Sequence, residues 1–141
     1  MNEILPGLHL GDYADAIVDA ATNPKRLALC VLEALPPDAP PRTMHVKILS
    51  YDVSGATPRV FANPRQLDAA AMIIDSALAK DERNAGPGIL VHCAAGVERS
   101  PLTVVWYLMH YEGMTMDGAY EFVRTRRPIV EDRRIWLPDR Y

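Results

Sequence analysis

One run of thirteen residues constrains this chain more than any other: Ile89-Leu90-Val91-His92-Cys93-Ala94-Ala95-Gly96-Val97-Glu98-Arg99-Ser100-Pro101. A short apolar segment ends in His-Cys. Five residues separate the cysteine from Arg99, and a second apolar stretch, Leu102 to Met109, follows Pro101. The pattern predicts a buried strand, a tight loop and the opening turn of a helix. Pro101 suits the first helical position, where a missing N–H costs nothing. A loop wrapped over a helix N-terminus turns backbone N–H groups inward and adds the positive end of the helix dipole, which together make an anion site.

Into that site the sequence places a thiol. A helix N-terminus and a nearby cation favour its thiolate. Arg99 supplies a permanent cation whose planar fork grips two oxygens of one phosphoryl group. A nucleophile at the floor of an oxyanion cradle, with an arginine beside it, is what covalent phosphoryl transfer to sulfur requires. The bland alternative is an inert strand-end cysteine beside an unrelated arginine. His, Gly, Arg and Ser at fixed offsets from one Cys arise by chance on the order of once in 10⁵.

The segment His92-Cys93-x-x-Gly96-x-x-Arg99-Ser100 resembles the signature loop of the cysteine-dependent protein tyrosine phosphatases. The opening Ile4-Leu5-Pro6-Gly7-Leu8-His9-Leu10-Gly11, the segment Gly113 to Pro128 and Trp136-Leu137 are similar to parts of the small dual-specificity branch. The resemblance implies a phosphatase that works through a phosphocysteine on Cys93, with no cofactor and no metal. Arg99 and the loop residues Ala94, Ala95, Gly96, Val97 and Glu98 would bind phosphate or another oxyanion. Ser100 would bond the sulfur and help it leave, and His92 would orient the loop. By similarity the general acid lies on a mobile loop after the preceding strand, where Asp52 stands. Asp68, on the following helix, is the runner-up. The interval from Asp52 to Cys93 is longer than in that family, with extra residues around Ala56 to Pro64 and Asp81 to Pro87.

The 141 residues, 49% hydrophobic, suit one domain over 1–141 with a full core. A net charge of −3 argues against a nucleic-acid or anionic-membrane surface. No stretch approaches the roughly 20 apolar residues of a spanning helix. Two cysteines and no signal-peptide pattern lead us to expect a reducing, cytoplasmic setting. From Arg99 onward seven arginines face six acids, so the Arg-rich tail reads as a solvated, salt-bridged face.

In chain order, Ile4–Leu10 reads as an edge strand. Asp12 caps a short helix with Ala14, Ile17, Val18 and Ala21 on its buried face, and Asn23-Pro24 stops it. Leu27–Leu32 is a continuous apolar strand, followed by a stiff connector holding Pro36, Pro37, Pro40 and Pro41. His45–Val53 reads as a strand and Ser54–Asn63 as loop. Asn63 and Pro64 open a helix whose stripe is Leu67, Ala70, Ala71, Ile74 and Leu78. Asn84–Gly88 reads as a turn. Leu102, Val105, Trp106 and Met109 form another stripe ended by Gly113, and Thr115 caps a last helix to about Arg127, before Pro128. The fold class expected is α/β: a central, mainly parallel sheet flanked by helices on both sides, like that of the protein tyrosine phosphatases.

Two features stand outside this scheme. Glu98 beside a thiolate and a phosphate would raise the thiol pKa if it pointed inward. Cys30, on a buried strand, reads as a small core residue, or as a resolving partner that condenses with oxidised Cys93. The expected partner is a phosphorylated protein or peptide, tyrosine first. Competing readings are a slow phosphopeptide-binding module and a sulfurtransferase.

Overall fold

The computed structural model describes residues 1–79 and 87–138. Among the described residues, seven strands and four helices follow the expected alternation, with differences that bear on the site. The segment expected as one strand at Ile4–Leu10 is a hairpin, β1 (Asn2–Leu5) and β2 (Leu8–Gly11). Its turn is Pro6-Gly7, and Gly7 sits at φ +84°, where a Cβ is disfavoured. Then come α1 (Tyr13–Thr22), β3 (Leu27–Cys30), β4 (Thr43–His45), β5 (Leu49–Asp52) and β6 (Arg59–Ala62). They are followed by α2 (Pro64–Leu78), β7 (Ile89–His92), α3 (Arg99–Tyr111) and α4 (Met116–Arg126). A single 3-10 turn, Arg134–Trp136, follows α4.

The main sheet has the order β1-β2-β7-β3-β4. β2, β3 and β4 run parallel with their neighbours around β7, and only β1 is antiparallel. All four residues of β7 are buried, as a central strand covered on both faces requires. Ile89, Val91 and Cys93 join the main core with Leu67, Ile74 and Leu102 of α2 and α3. His92 points the other way, its ring 5.8 Å from that of Tyr13 on α1. Among the described residues, no helix is long and apolar enough to cross a membrane.

The expected strand His45–Val53 divides in two. β4 ends the main sheet, while β5 leaves it and pairs antiparallel with β6. β6 falls in the segment expected to be loop. It forms because Arg59-Val60-Phe61-Ala62 carries β-formers that pair residue for residue with Leu49–Asp52. The extra residues after Asp52 therefore build a second strand. The expected extra residues from Asp81, and most of the turn at Asn84–Gly88, lie outside the described residues.

The buried face of α1 also differs. Ala16 and Asp19 are buried, whereas Ile17 and Val18 are 39% and 63% exposed. A reciprocal capping box fixes the helix start: the Asp15 amide donates to Asp12 and the Asp12 amide to Asp15. Asp19 then faces inward to meet Arg26 at 2.6 Å. Polar pairing set the phase that apolar spacing alone assigned to Ala14, Ile17, Val18 and Ala21. In α2, by contrast, Asn63 caps the helix by accepting from the Arg65 amide, and Leu67, Ala70, Ala71 and Ile74 are buried as expected.

α3 runs through the centre and is buried on nearly every side from Ser100 to Leu108, more than a single stripe. It starts two residues before Pro101, which thus lies within the first turn. Its end follows expectation, with Gly113 at φ +69° and the Met114 amide returning to the Leu108 carbonyl.

Candidate active site

β7 delivers Cys93 to the point where the main sheet meets the start of α3. The sulfur lies 3.1 Å from the Ser100 hydroxyl. Burial is the largest influence on this thiol and pushes its pKa up. The Ser100 hydroxyl and the amides of Ser100, Gly96 and Arg99 together outweigh it and hold the pKa below its ordinary value.

The loop's shape follows from where its carbonyls go. The Cys93 carbonyl faces His92 Nδ1 at 3.3 Å. A carbonyl only accepts, so Nδ1 carries the proton there; burial lowers the His92 pKa and keeps the ring neutral. The Ala94 carbonyl accepts from the Tyr13 amide at 3.1 Å. Arg127 donates from Nη2 to the Ala95 carbonyl at 3.2 Å and from Nε to that of Gly96 at 2.8 Å. The Val97 and Glu98 carbonyls accept from the amides of Glu131 and Leu102 at 2.9 and 3.2 Å. Six successive carbonyls are thus engaged from outside the cup. Each peptide plane that turns its oxygen out turns its N–H toward the opposite side, where an anion collects several of them. Gly96 permits this at φ +67°; a Cβ there would stand 2.6 Å from the Gly11 carbonyl oxygen and 2.6 Å from Arg127 Nη2.

Arg127, 8% exposed and tied also to Asn2 Oδ1 at 2.8 Å, is the functional residue that sequence reasoning missed. It belongs to the Arg-rich tail that the sequence predicts as a solvated face, and nothing in its local sequence separates it from Arg124 or Arg126. That reading does describe Arg133 and Arg134, which pair with Glu98, Glu131, Asp117 and Asp132.

Above the thiol lies a cavity of about 320 Å³ lined by Cys93, Ala94, Ala95, Val97, Glu98 and Arg99 from the loop, with Leu49, Tyr51, Val60 and Trp136 as walls. The β5–β6 hairpin thus supplies one apolar wall and the C-terminal segment the other. The structure brings Cys93, Arg99, Ser100 and the loop together. It does not bring Asp52 in. Leu49 and Tyr51 face the cavity, and strand alternation turns Asp52 away. The Asp52 carboxylate instead accepts from the Ser54 hydroxyl at 2.6 Å and the Ser54 amide at 2.9 Å, which lower its pKa. Asp68 is engaged elsewhere, accepting from Trp106 Nε1 at 2.8 Å.

Residues 42–136, which hold this loop and both walls of the cavity, match the family model "Dual specificity phosphatase, catalytic domain". This chain belongs to the dual specificity phosphatase family. Dual specificity protein phosphatase 1B of Arabidopsis thaliana is 33% identical over 129 residues, covering 90% of this chain and 71% of the relative. Tyrosine-protein phosphatase vhp-1 of Caenorhabditis elegans is 46% identical over 48 residues, 34% of this chain and 7% of the relative. The chain spans 7% to 14% of the length of several curated relatives it matches. The crystal structure of human DUSP28 superposes with a TM-score of 0.70 at 23% identity, covering 95% of this chain and 88% of that one, a likeness of fold. Family membership sets the sulfurtransferase reading aside. The matched model is that of the family's catalytic domain.

Proposed function

We propose that this domain hydrolyses phosphotyrosine, and also phosphoserine and phosphothreonine, in a protein or peptide substrate. The observation that carries the reading is the outward anchoring of six loop carbonyls around a thiol of lowered pKa. The phosphoryl oxygens of the bound monoester take the inward amides and the Arg99 fork, which supply the charge stabilisation. The Cys93 thiolate attacks phosphorus, the bond to the leaving oxygen breaks, and Asp52 protonates that oxygen. Water then attacks the phosphocysteine, gives its proton to Asp52, and the sulfur leaves with Ser100 donating to it. Apolar walls from Leu49, Val60 and Trp136 suit an aromatic ring, so tyrosine stands first. Thiolate chemistry of this kind calls for a reducing compartment, and we place the protein in the cytoplasm.

Asp52 serves as acid only once its carboxylate leaves Ser54 and turns into the cavity. A general acid must be protonated, so activity falls as pH rises through its pKa. Asp52→Asn is expected to remove that falling limb from the pH–rate profile and to slow a poor leaving group about 100-fold. An unchanged profile assigns the role elsewhere. The position of Asp52 favours one alternative, a phosphopeptide-binding module of slow turnover. Tight phosphopeptide binding with negligible wild-type turnover would select it.

We also propose Cys30 as a redox partner. It is in register with His92 on the neighbouring strand, and both cysteines are free. Burial first, with the charge of Cys93 adding to it, raises the Cys30 pKa. Cys30 shares the face of its paired residue His92, so Cys93 must swing through the loop to meet it. Peroxide would oxidise the Cys93 thiol to the sulfenic acid with release of water; the Cys30 sulfur would then attack that sulfur, and its hydroxyl would leave as a second water with the Cys30 proton. Mass spectrometry after mild peroxide is expected to find a Cys30–Cys93 link. A Cys93 sulfinate with no such link would contradict it.

A further inference from the structure

Glu98 is an anomaly in a loop that binds a dianion: a carboxylate one residue from Arg99, on the wall of the phosphate cavity. Unbalanced, it would repel phosphate and disfavour the thiolate. Its Oε2 instead accepts from Arg133 Nε at 2.7 Å, and Arg133 Nη2 bonds the Glu131 carboxylate at 2.6 Å. The segment holding Arg133 is itself fastened to the loop and to α4. The Glu131 amide meets the Val97 carbonyl at 2.9 Å, and the Arg133 amide donates to the Tyr120 hydroxyl at 3.1 Å. The guanidinium lies 5.6 Å from the centre of the Trp136 ring, the apolar wall of the cavity.

We propose that Arg133 is a positioning residue for phosphate: it holds the loop's own carboxylate out of the anion cup, so that a loop carrying Glu98 accepts a phosphoryl dianion. This deepens the phosphatase reading and rests on it. The two side chains are 34% and 39% exposed. An ion pair that wet contributes little to folding. Its consequence falls on the neighbouring anion, because a displaced carboxylate would compete with phosphate for Arg99 and the inward amides. The charged and titratable groups around the pair are Glu131 and Tyr120 on the Arg133 side. Around the thiol they are His92 on β7, Arg99 on α3, Cys30 on β3 and Tyr51 on β5, with the Ser100 hydroxyl as a neutral hydrogen-bond partner. Among the described residues, Arg133 is the ion-pair partner of Glu98.

The test compares wild type, Arg133→Ala and the double variant Glu98→Gln/Arg133→Ala at low salt. Protection of Cys93 from iodoacetamide by inorganic phosphate reads the affinity of the cup. The pH dependence of alkylation without phosphate reads the thiolate. Arg133→Ala is expected to weaken phosphate about tenfold and to cut the thiolate fraction at a given pH by a similar factor. The double variant recovers both. Arg133→Ala indistinguishable from wild type, or a double variant as impaired as the single one, would overturn the proposal, the second by showing a merely structural role. Thermal melts of all three verify folding, and a melted Arg133→Ala is replaced by Arg133→Gln with the same expectations. Neither readout needs turnover. Failure of the phosphatase reading would show separately, as a wild type that binds phosphate and hydrolyses nothing.

Discussion

Cys93→Ser is expected to abolish hydrolysis. Turnover of an aryl phosphate and of a phosphotyrosine peptide is expected to fall on the order of 10⁴-fold or more. The Ser100 hydroxyl and three amides favour the thiolate and lower the Cys93 pKa, although burial alone would raise it. A serine hydroxyl titrates far above any thiol, so the same donors leave it protonated at neutral pH. The six carbonyl anchors do not involve the sulfur, so phosphate affinity persists in the variant. Steady-state kinetics with phosphate inhibition reads both, and wild-type turnover in the variant would remove the nucleophile from Cys93.

Gly96→Ala is expected to damage fold and activity together. Its φ of +67° is closed to an L side chain without strain, and the added Cβ would meet the Gly11 carbonyl and the Arg127 guanidinium at 2.6 Å each. Neither neighbour yields easily: Gly11 ends a paired strand, and Arg127 is buried with three partners. The loop must move instead, which releases the Ala95 and Gly96 carbonyls and turns their peptide planes. We expect about 2–3 kcal/mol lost in urea unfolding and kcat/KM down roughly 100-fold. Near-normal values of both would show that the loop tolerates another backbone path.

What the sequence made legible was local chemistry of short range. Residues 89 to 101 carry strand, loop and helix start in one continuous run, which brings Cys93 and Ser100 within 3.1 Å of each other. Asn63-Pro64 and Thr115 are caps whose partners lie within three residues. Contacts set by tertiary structure were not legible. Arg127 lies 31 residues from the carbonyl of Gly96 that it anchors, and Arg133 lies 35 from Glu98. The buried face of α1 is not legible because Asp19 is buried by its pairing with Arg26, and apolar periodicity carries no signal for an ion pair. β6 is not legible because Gly55 and Pro58 mask a short strand stabilised by its partner β5.

All of this chemistry requires that phosphorus pass through sulfur. Rapid-quench mass spectrometry of the wild-type protein during turnover of a phosphotyrosine peptide measures that directly. A phosphoryl group on the peptide containing Cys93, appearing before free phosphate and absent from Cys93→Ser, is the expected result. Phosphate released at the full rate with label on another residue, or from Cys93→Ser, would contradict it.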